Sequence, residues 1–266
     1  MVRKPAVSGQ FYPDDKSRLL KDLEKMVPDS EHKVNAIGAV VPHAGYVYSG
    51  GVAGEVYARL KPKKTYIILS PNHTGCGTRF AALDEDWRTP LGSIGADKEL
   101  LEAMMQNTDL IEIDPAAHMF EHSVEVQLPF IQMISRDASI VPITIRYGDM
   151  SEYEEVSGAI VSAVEGTGRD VTIVASSDMT HYEPRESAAE KDQMAIRKII
   201  GLDPKGLLTI VREKDISMCG YIPVVIMLMC AVKMKAKKAE LVKYADSGDV
   251  TGDTEQVVGY AGIIVY

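Results

Sequence analysis

Residues 171–181 read VTIVASSDMTH. The first five, VTIVA, are small or β-branched and apolar in a run too short for a helix, which predicts a buried strand. The rest turns polar at once, with Ser176, Ser177, Asp178, Thr180 and His181. In open α/β sheets the ligand crevice lies beyond the carboxyl ends of the strands. The stretch therefore predicts a strand that delivers polar groups to a site. The pattern occurs twice more, as AIGAVVPH at residues 36–43 and TYIILSPNH at residues 65–73. Three apolar strands thus run out into His43, His73 and His181, in a chain with six histidines. A lone histidine is usually a surface or core group. Three at one structural station predict a common cavity.

Outward from these strands the chain alternates. An apolar stripe at helical spacing predicts a helix over residues 14–27, with Asp14 or Asp15 as its cap and Pro28 as its stop. A glycine-rich helix to Leu60 returns the chain from the first strand to the second, a βαβ unit with a parallel pair. Residues 79–94, with Trp87, Pro90 and Gly92, read as irregular strands or a hairpin. Helices follow over 97–106, 152–164, 188–200, 205–211 and 222–232, and strands over 110–113, 139–145, 240–244 and 257–265. This order predicts a single α/β domain, 1–266, with a central mixed, largely parallel sheet flanked by helices. A helix from Glu121 onward would place His122 and Glu125 on one face, although a plain hydrogen-bonded couple is the commoner meaning of that spacing. The acidic loop at residues 246–253, DSGDVTGD, reads as a hairpin turn.

Bulk properties exclude several classes. The chain has 266 residues, 45% hydrophobic and 25% charged, with a net charge of −9. That charge argues against an extended nucleic-acid footprint. The longest apolar run, residues 221–232, is shorter than the roughly 20 residues a membrane span needs. Three cysteines, Cys76, Cys219 and Cys230, form an odd set without CxxC spacing. They are expected to be reduced and structural, in a cytoplasmic protein. GxGxxG, Walker and GxSxG motifs are absent, which removes support for nucleotide binding and for a serine nucleophile.

Neutral imidazoles with a carboxylate suit a divalent transition metal: Fe(II) as the first expectation, Zn or Cu as others. His43, His73 and His181 are the candidate ligands. Asp178, Glu125, Asp246 and Asp249 are candidate carboxylates. A histidine outside the coordination sphere would serve as general acid or base, so His181, Asp178, His122 and Glu125 are the candidate catalytic groups. Asn72, Tyr46 and Asp246 are candidate binding groups.

Seven segments carry a resemblance: VPHAGYVYSG (41–50), SPNHTG (70–75), RTPLG (88–92), EHSVEVQLPF (121–130), SSDMTHY (176–182), CGYIP (219–223) and YADSGDV (244–250). Together they resemble the Memo family, in order and over almost the whole chain. The resemblance implies a fold like that of class III extradiol dioxygenases. It also implies a pocket lined by His43, His73 and His181 with Asp178 beside them, His122 and Glu125 belonging to a shared EHS-x-E segment. Animal members act in cell-motility signalling and resemble YAQSSQC in the last loop; their pocket cysteine falls on Val250 here. The implied function is a non-heme iron oxygenase acting on a small phenolic molecule. The alternatives are a non-catalytic peptide- or protein-binding module and, third, a zinc-type hydrolase.

Overall fold

Alternate residues of the central strands feed two separate cores. Val40, Ile67, Leu69, Val141, Ile143, Ile173 and Ala175 face one way, against the helices Met150–Thr167 and Tyr221–Lys233. Ala39, Val41, Tyr66, Ile68, Ile140 and Val174 face the other way, against Lys16–Met26, Tyr46–Arg59 and Leu128–Ile134. Side chains alternate across a strand, so a sheet covered on both faces needs continuous apolar runs. Each buried Val, Leu or Ile contributes roughly 1.5–3 kcal/mol. The computed structural model describes residues 2–266 in this way, as a single α/β domain with a mixed, mostly parallel sheet between helices.

The parallel strands stand in the order Gly92–Ala96, Ser139–Ile145, Thr65–Pro71, Val171–Ser176 and Gly38–Val41. Val257–Val265 then runs antiparallel beside Gly38–Val41, and Ala239–Asp246 antiparallel beside it in turn. The expected βαβ unit is present, but its two strands are not neighbours. Val171–Ser176 lies between them and pairs with both. Residues 79–94 contain the expected hairpin, Asp86–Thr89 against Gly92–Ala96.

Two local readings differ from expectation. Residues 121–134 are not one helix. A single 3₁₀ turn, Glu125–Gln127, precedes Leu128–Ile134, with Pro129 in that helix's first turn. Proline lacks an N–H and clashes with the carbonyl four residues earlier, so the helix must start afresh beside it. His181 does not sit just past its strand either. The strand stops at Ser176, and His181 opens a separate short strand, His181–Glu183, that pairs with Val257–Val265.

The helix Tyr221–Lys233 is buried from Ile222 to Ala231, between the sheet and its helical neighbours. Burial on every side explains an all-round apolar sequence. No helix among the described residues is long and apolar enough to cross a membrane.

Candidate metal-binding site

The three strands that deliver the site end level. Val41 is in register with Ser176, and Leu69 with Ala175. His43, His73 and Asp178 each follow two residues beyond a strand terminus, so the topology alone gathers them. His122 arrives from the loop between Pro115–His118 and the turn at Glu125–Gln127. One ring nitrogen each from His43, His73 and His122 lies within 4.8 Å of the other two. Ring centroids are 5.2 Å apart for His43–His73, 5.5 Å for His43–His122 and 4.8 Å for His73–His122.

Hydrogen bonds fix which nitrogen each ring offers. The Ser176 hydroxyl donates its one hydrogen to the Ser123 carbonyl at 2.7 Å and accepts from the Gln127 amide at 2.9 Å. Toward His43 Nδ1, 2.9 Å away, it can then only accept. His43 therefore carries its hydrogen on Nδ1 and leaves Nε2 as a lone pair. The buried Glu121 carboxylate accepts from His73 Nδ1 at 2.9 Å, which leaves His73 Nε2 free in the same way. Glu121 also accepts from the backbone N–H of His73, His122 and Ser123 and from the Ser123 hydroxyl. An acceptor behind the imidazole, most often a carboxylate or a backbone carbonyl, is the usual means of orienting a metal ligand; Glu121 has that role for His73, and the Ser176 hydroxyl stands in the same place for His43.

The electrostatics favour neutral rings at His43 and His122 and pull the other way at His73. Burial, then the neighbouring His73 and His122, pushes His43 well below its ordinary value. Burial also lowers His122, over the opposing pull of Glu121. For His73, burial works against the charged form, but the Glu121 carboxylate outweighs it and the ring is raised. Glu121 is itself buried, yet its bonds to His73 and Ser123 hold it far below the carboxylate range. Three imidazoles with free nitrogens at this spacing match the donor set of a catalytic transition metal.

Two further groups stand against His43. Asp178 Oδ1 accepts from the His43 backbone N–H at 2.7 Å, and its Oδ2 lies 4.0 Å from His43 Nε2. Burial raises this carboxyl above its usual range. The Cys219 sulfur lies 3.3 Å from His43 Nε2 and accepts from the Asp178 N–H, also at 3.3 Å. Burial, then Asp178, pushes the thiol up, so Cys219 stands as S–H facing the lone pair. The next residue must be glycine. A Cβ at Gly220 would lie 2.3 Å from the Ser176 carbonyl oxygen and 2.6 Å from Ser177 Cβ. Gly220→Ala is expected to cost about 1–3 kcal/mol through this overpacking, read by denaturant unfolding. Wild-type stability in that variant would mean that the 176–178 turn yields without strain.

Other expected site residues have different surroundings. His181 stands outside the close trio; His122 occupies the third position instead. His181 Nδ1 donates to the Met179 and Ser217 carbonyls at 2.7 and 2.9 Å. Glu125, expected beside His122 as a catalytic group, is turned away from it. Its oxygens accept from Arg3, from the N–H groups of Ala6 and Val7, and from the Tyr12 hydroxyl. Tyr46 is buried and donates its hydroxyl to the Val126 carbonyl at 2.7 Å. Asn72 closes the turn beneath His73, accepting from Gly75 and Thr74. Asp246 and Asp249 both clamp Arg185, at 2.5 and 2.7 Å. Val250 is half exposed in the one-turn helix Gly248–Thr251. All three cysteines are free, but Cys76 is exposed and Cys219 borders the histidines, so only Cys230 fits the expectation of a buried structural thiol. His118, buried and lowered to about 4 by burial, bonds the Ala81 carbonyl and Thr144 as an ordinary core histidine. A charged cavity of about 790 Å³ lies at the opposite end of the sheet, where Arg169 pairs with Asp97 and Lys63 with Asp170.

Sequence reasoning missed Glu121 and Cys219. The adjacency of Glu121 to His122 was visible, but its bond to His73, 48 residues away, was not. The glycine after Cys219, just before an apolar helix, was the one signal of a close approach there.

A family model described as Memo-like protein matches residues 3–264. The chain is 43% identical over 266 residues to a MEMO1 family protein of Methanosarcina barkeri, covering 99% of this chain and 100% of that relative. It is 44% identical to a MEMO1 family protein of Methanococcoides burtonii, with the same coverage. Among solved structures, an uncharacterized protein of Escherichia coli K12 is similar with a TM-score of 0.57 at 12% identity, over 85% of this chain and 98% of that one. The likeness to that structure is one of fold.

Proposed function

The chain belongs to the Memo-like protein family, and from that premise we propose that its pocket holds a divalent transition metal, Fe(II), on His43, His73 and His122 and oxygenates a small phenolic molecule. One observation carries the reading: three imidazole nitrogens within 4.8 Å of one another, two of them with their lone pairs fixed from behind. When bound, such a metal supplies a Lewis acid and open positions for a phenolate and dioxygen. The protein supplies the rest. Glu121 and Ser176 hold the rings of His73 and His43 in place. Asp178 exchanges a proton at its raised carboxyl beside His43. His181, with Nδ1–H held by two carbonyls, presents Nε2 as the base for the substrate hydroxyl. Phe11 packs on His122 at a centroid distance of 4.8 Å and gives an aromatic wall.

The test is iron loading without oxygen, metal analysis, then exposure to oxygen with a panel of catechols. His43→Ala is the control. The expected result is one iron per chain, lost in the variant, and turnover of at least one catechol. Absence of iron under those conditions would overturn the reading. Iron without turnover would favour the binding module. That second reading has its own support, since Val47, Tyr48, Met119, Phe120 and Tyr182 are exposed and lie within a few residues of His43, His122 or His181 in sequence.

A further inference from the structure

We propose that Tyr260 is a ligand-binding residue of the histidine pocket, its hydroxyl donating a hydrogen bond to an oxygen of the bound phenol; the inference rests on the phenolic reading above and names a group that reading does not use. Six tyrosines are buried: Tyr12, Tyr46, Tyr57, Tyr66, Tyr153 and Tyr260. A buried tyrosine hydroxyl ordinarily finds a partner, and five of these do. Tyr12 meets Glu125, Tyr46 the Val126 carbonyl, Tyr57 the Gln127 amide oxygen, Tyr66 the Lys63 N–H and Tyr153 the Gly148 carbonyl. Tyr260 is 2% exposed, and its hydroxyl makes no hydrogen bond among the described residues. That oxygen is nevertheless not one of the sealed, unpartnered atoms of the interior. The ring is enclosed and the hydroxyl keeps an opening.

The strand Val257–Val265 places that opening at the site. Gly259, just before Tyr260, donates to the Thr180 carbonyl at 2.9 Å and accepts from the Met179 N–H at 2.8 Å. The backbone at Tyr260 is thus tied to the turn that holds Asp178 and leads to His181. Side chains alternate along a strand. Ala261 and Ile263 enter the core that packs on Tyr221–Lys233, while Gly262 lies against Val52 and Val56 of Tyr46–Arg59 and Ile264 enters the core on that side. Tyr260 shares the second face. So do Val41 and Val174, whose strands lead two residues on to His43 and Ser176. Burial, then Asp178, raises Tyr260, with Tyr48, Asp246 and Tyr182 adding to the effect, so the hydroxyl keeps its proton and acts as a donor. Tyr48 and Tyr182 are exposed and form a phenolic rim on the Asp178 side of the histidines. A donor fixed in an enclosed wall favours a phenolate oxygen, because a hydrogen bond to a charged acceptor is about twice as strong as a neutral one.

The probe is 4-nitrocatechol, added without oxygen to the zinc(II)-loaded protein, because its visible absorption shifts when the catechol ionises on a metal. Tyr260→Phe should bind zinc as the wild type does and bind 4-nitrocatechol roughly tenfold more weakly, the effect of one lost hydrogen bond to a charged group. The metal-free variant should unfold at or above the wild-type temperature, since the lost hydroxyl strands no partner. Tyr153→Phe, which frees the Gly148 carbonyl, should unfold about 2–4 °C lower. A hydroxyl with a structural role alone would give the reverse pattern, with equal probe affinity and a midpoint lowered like that of Tyr153→Phe. Equal probe affinity, a lowered midpoint or weakened zinc binding in Tyr260→Phe would each overturn the proposal while leaving the histidine site standing. A wild type that takes up zinc but not the probe would overturn the phenolic reading and this inference together, and one that takes up neither would overturn the metal reading as well.

Discussion

Glu125→Ala is expected to cost about 3–5 kcal/mol of folding stability, with little change in metal affinity of the folded protein. Glu125 is fully buried and paired with Arg3, itself nearly so. The carboxylate also accepts from Ala6 N–H at 2.7 Å, Val7 N–H at 3.1 Å and the Tyr12 hydroxyl at 2.6 Å. Burial, with Glu125 beside it, raises Tyr12 and keeps that hydroxyl a donor. Arg3 lies 4.3 Å from the Trp87 ring and donates to the His118 and Glu121 carbonyls. One carboxylate thus anchors the N-terminal segment to the 115–127 region. Removing it strands a buried guanidinium, and uncompensated charge is what makes half of a buried pair so costly to lose. The midpoint of thermal unfolding should fall by roughly 10 °C for a chain of this size. Arg3→Met combined with Glu125→Leu should recover only the part of the loss that comes from the stranded charge, because the Ala6 and Val7 N–H groups and the Tyr12 hydroxyl stay without their acceptor. A loss below about 1 kcal/mol, the worth of an exposed ion pair, would show that Arg3 finds water or another partner. Loss of metal affinity as large as that from changing Glu121 would return Glu125 to the site.

The contrast between these two glutamates shows what the sequence could and could not reveal. Strand periodicity made the sheet legible, because both faces are covered and the runs around Val40, Ile67 and Val174 are continuously apolar. It also made His43 and His73 legible, since each follows its strand by two residues. The third histidine was not legible. Choosing His122 over His181 depends on how a loop folds over the strand ends, and loop paths are set by tertiary contacts that leave no period. Pro129 did carry the information that breaks the helix, and with it the supposed His122–Glu125 face. Whether a buried carboxylate points at histidine or arginine is a matter of packing. Glu121 and Glu125 stand four residues apart in one motif, and only their partners, His73 and Arg3, distinguish orienting a ligand from holding a terminus.

Glu121→Gln should weaken divalent metal binding by roughly 10–100-fold, and the loss should depend on pH in a defined direction. The Glu121 Oε1 atom accepts from His73 Nδ1, from the N–H groups of His122 and Ser123, and from the Ser123 hydroxyl, whereas Oε2 accepts from the His73 N–H. Glutamine can keep the first set with its carbonyl oxygen. Its amide then faces the His73 N–H, donor against donor, at a cost of about 1–3 kcal/mol. The charge behind His73 is gone as well. In the wild type that charge raises His73 above its ordinary 6.5. Metal must displace the proton, so wild-type affinity climbs as pH rises through that raised value and levels off above it. In the variant burial is left unopposed, His73 falls, and the plateau begins at lower pH. The two curves are therefore furthest apart at mildly alkaline pH and converge on the acid side, where the wild type alone is held back by its proton. Stability of the metal-free protein runs the other way. The lowered Glu121 contributes above its ordinary 4.5 and loses that contribution as pH falls, while the raised His73 contributes below 6.5 and loses its share as pH rises through its raised value. Their ion pair is fully effective between those limits, and there the variant should lose most stability. Calorimetric titration with zinc(II) across this range, with thermal unfolding of the metal-free forms, measures both. Unchanged affinity at alkaline pH would remove Glu121 from the metal site, and a gap that widened toward acid would show that His73 is not the ring the metal deprotonates.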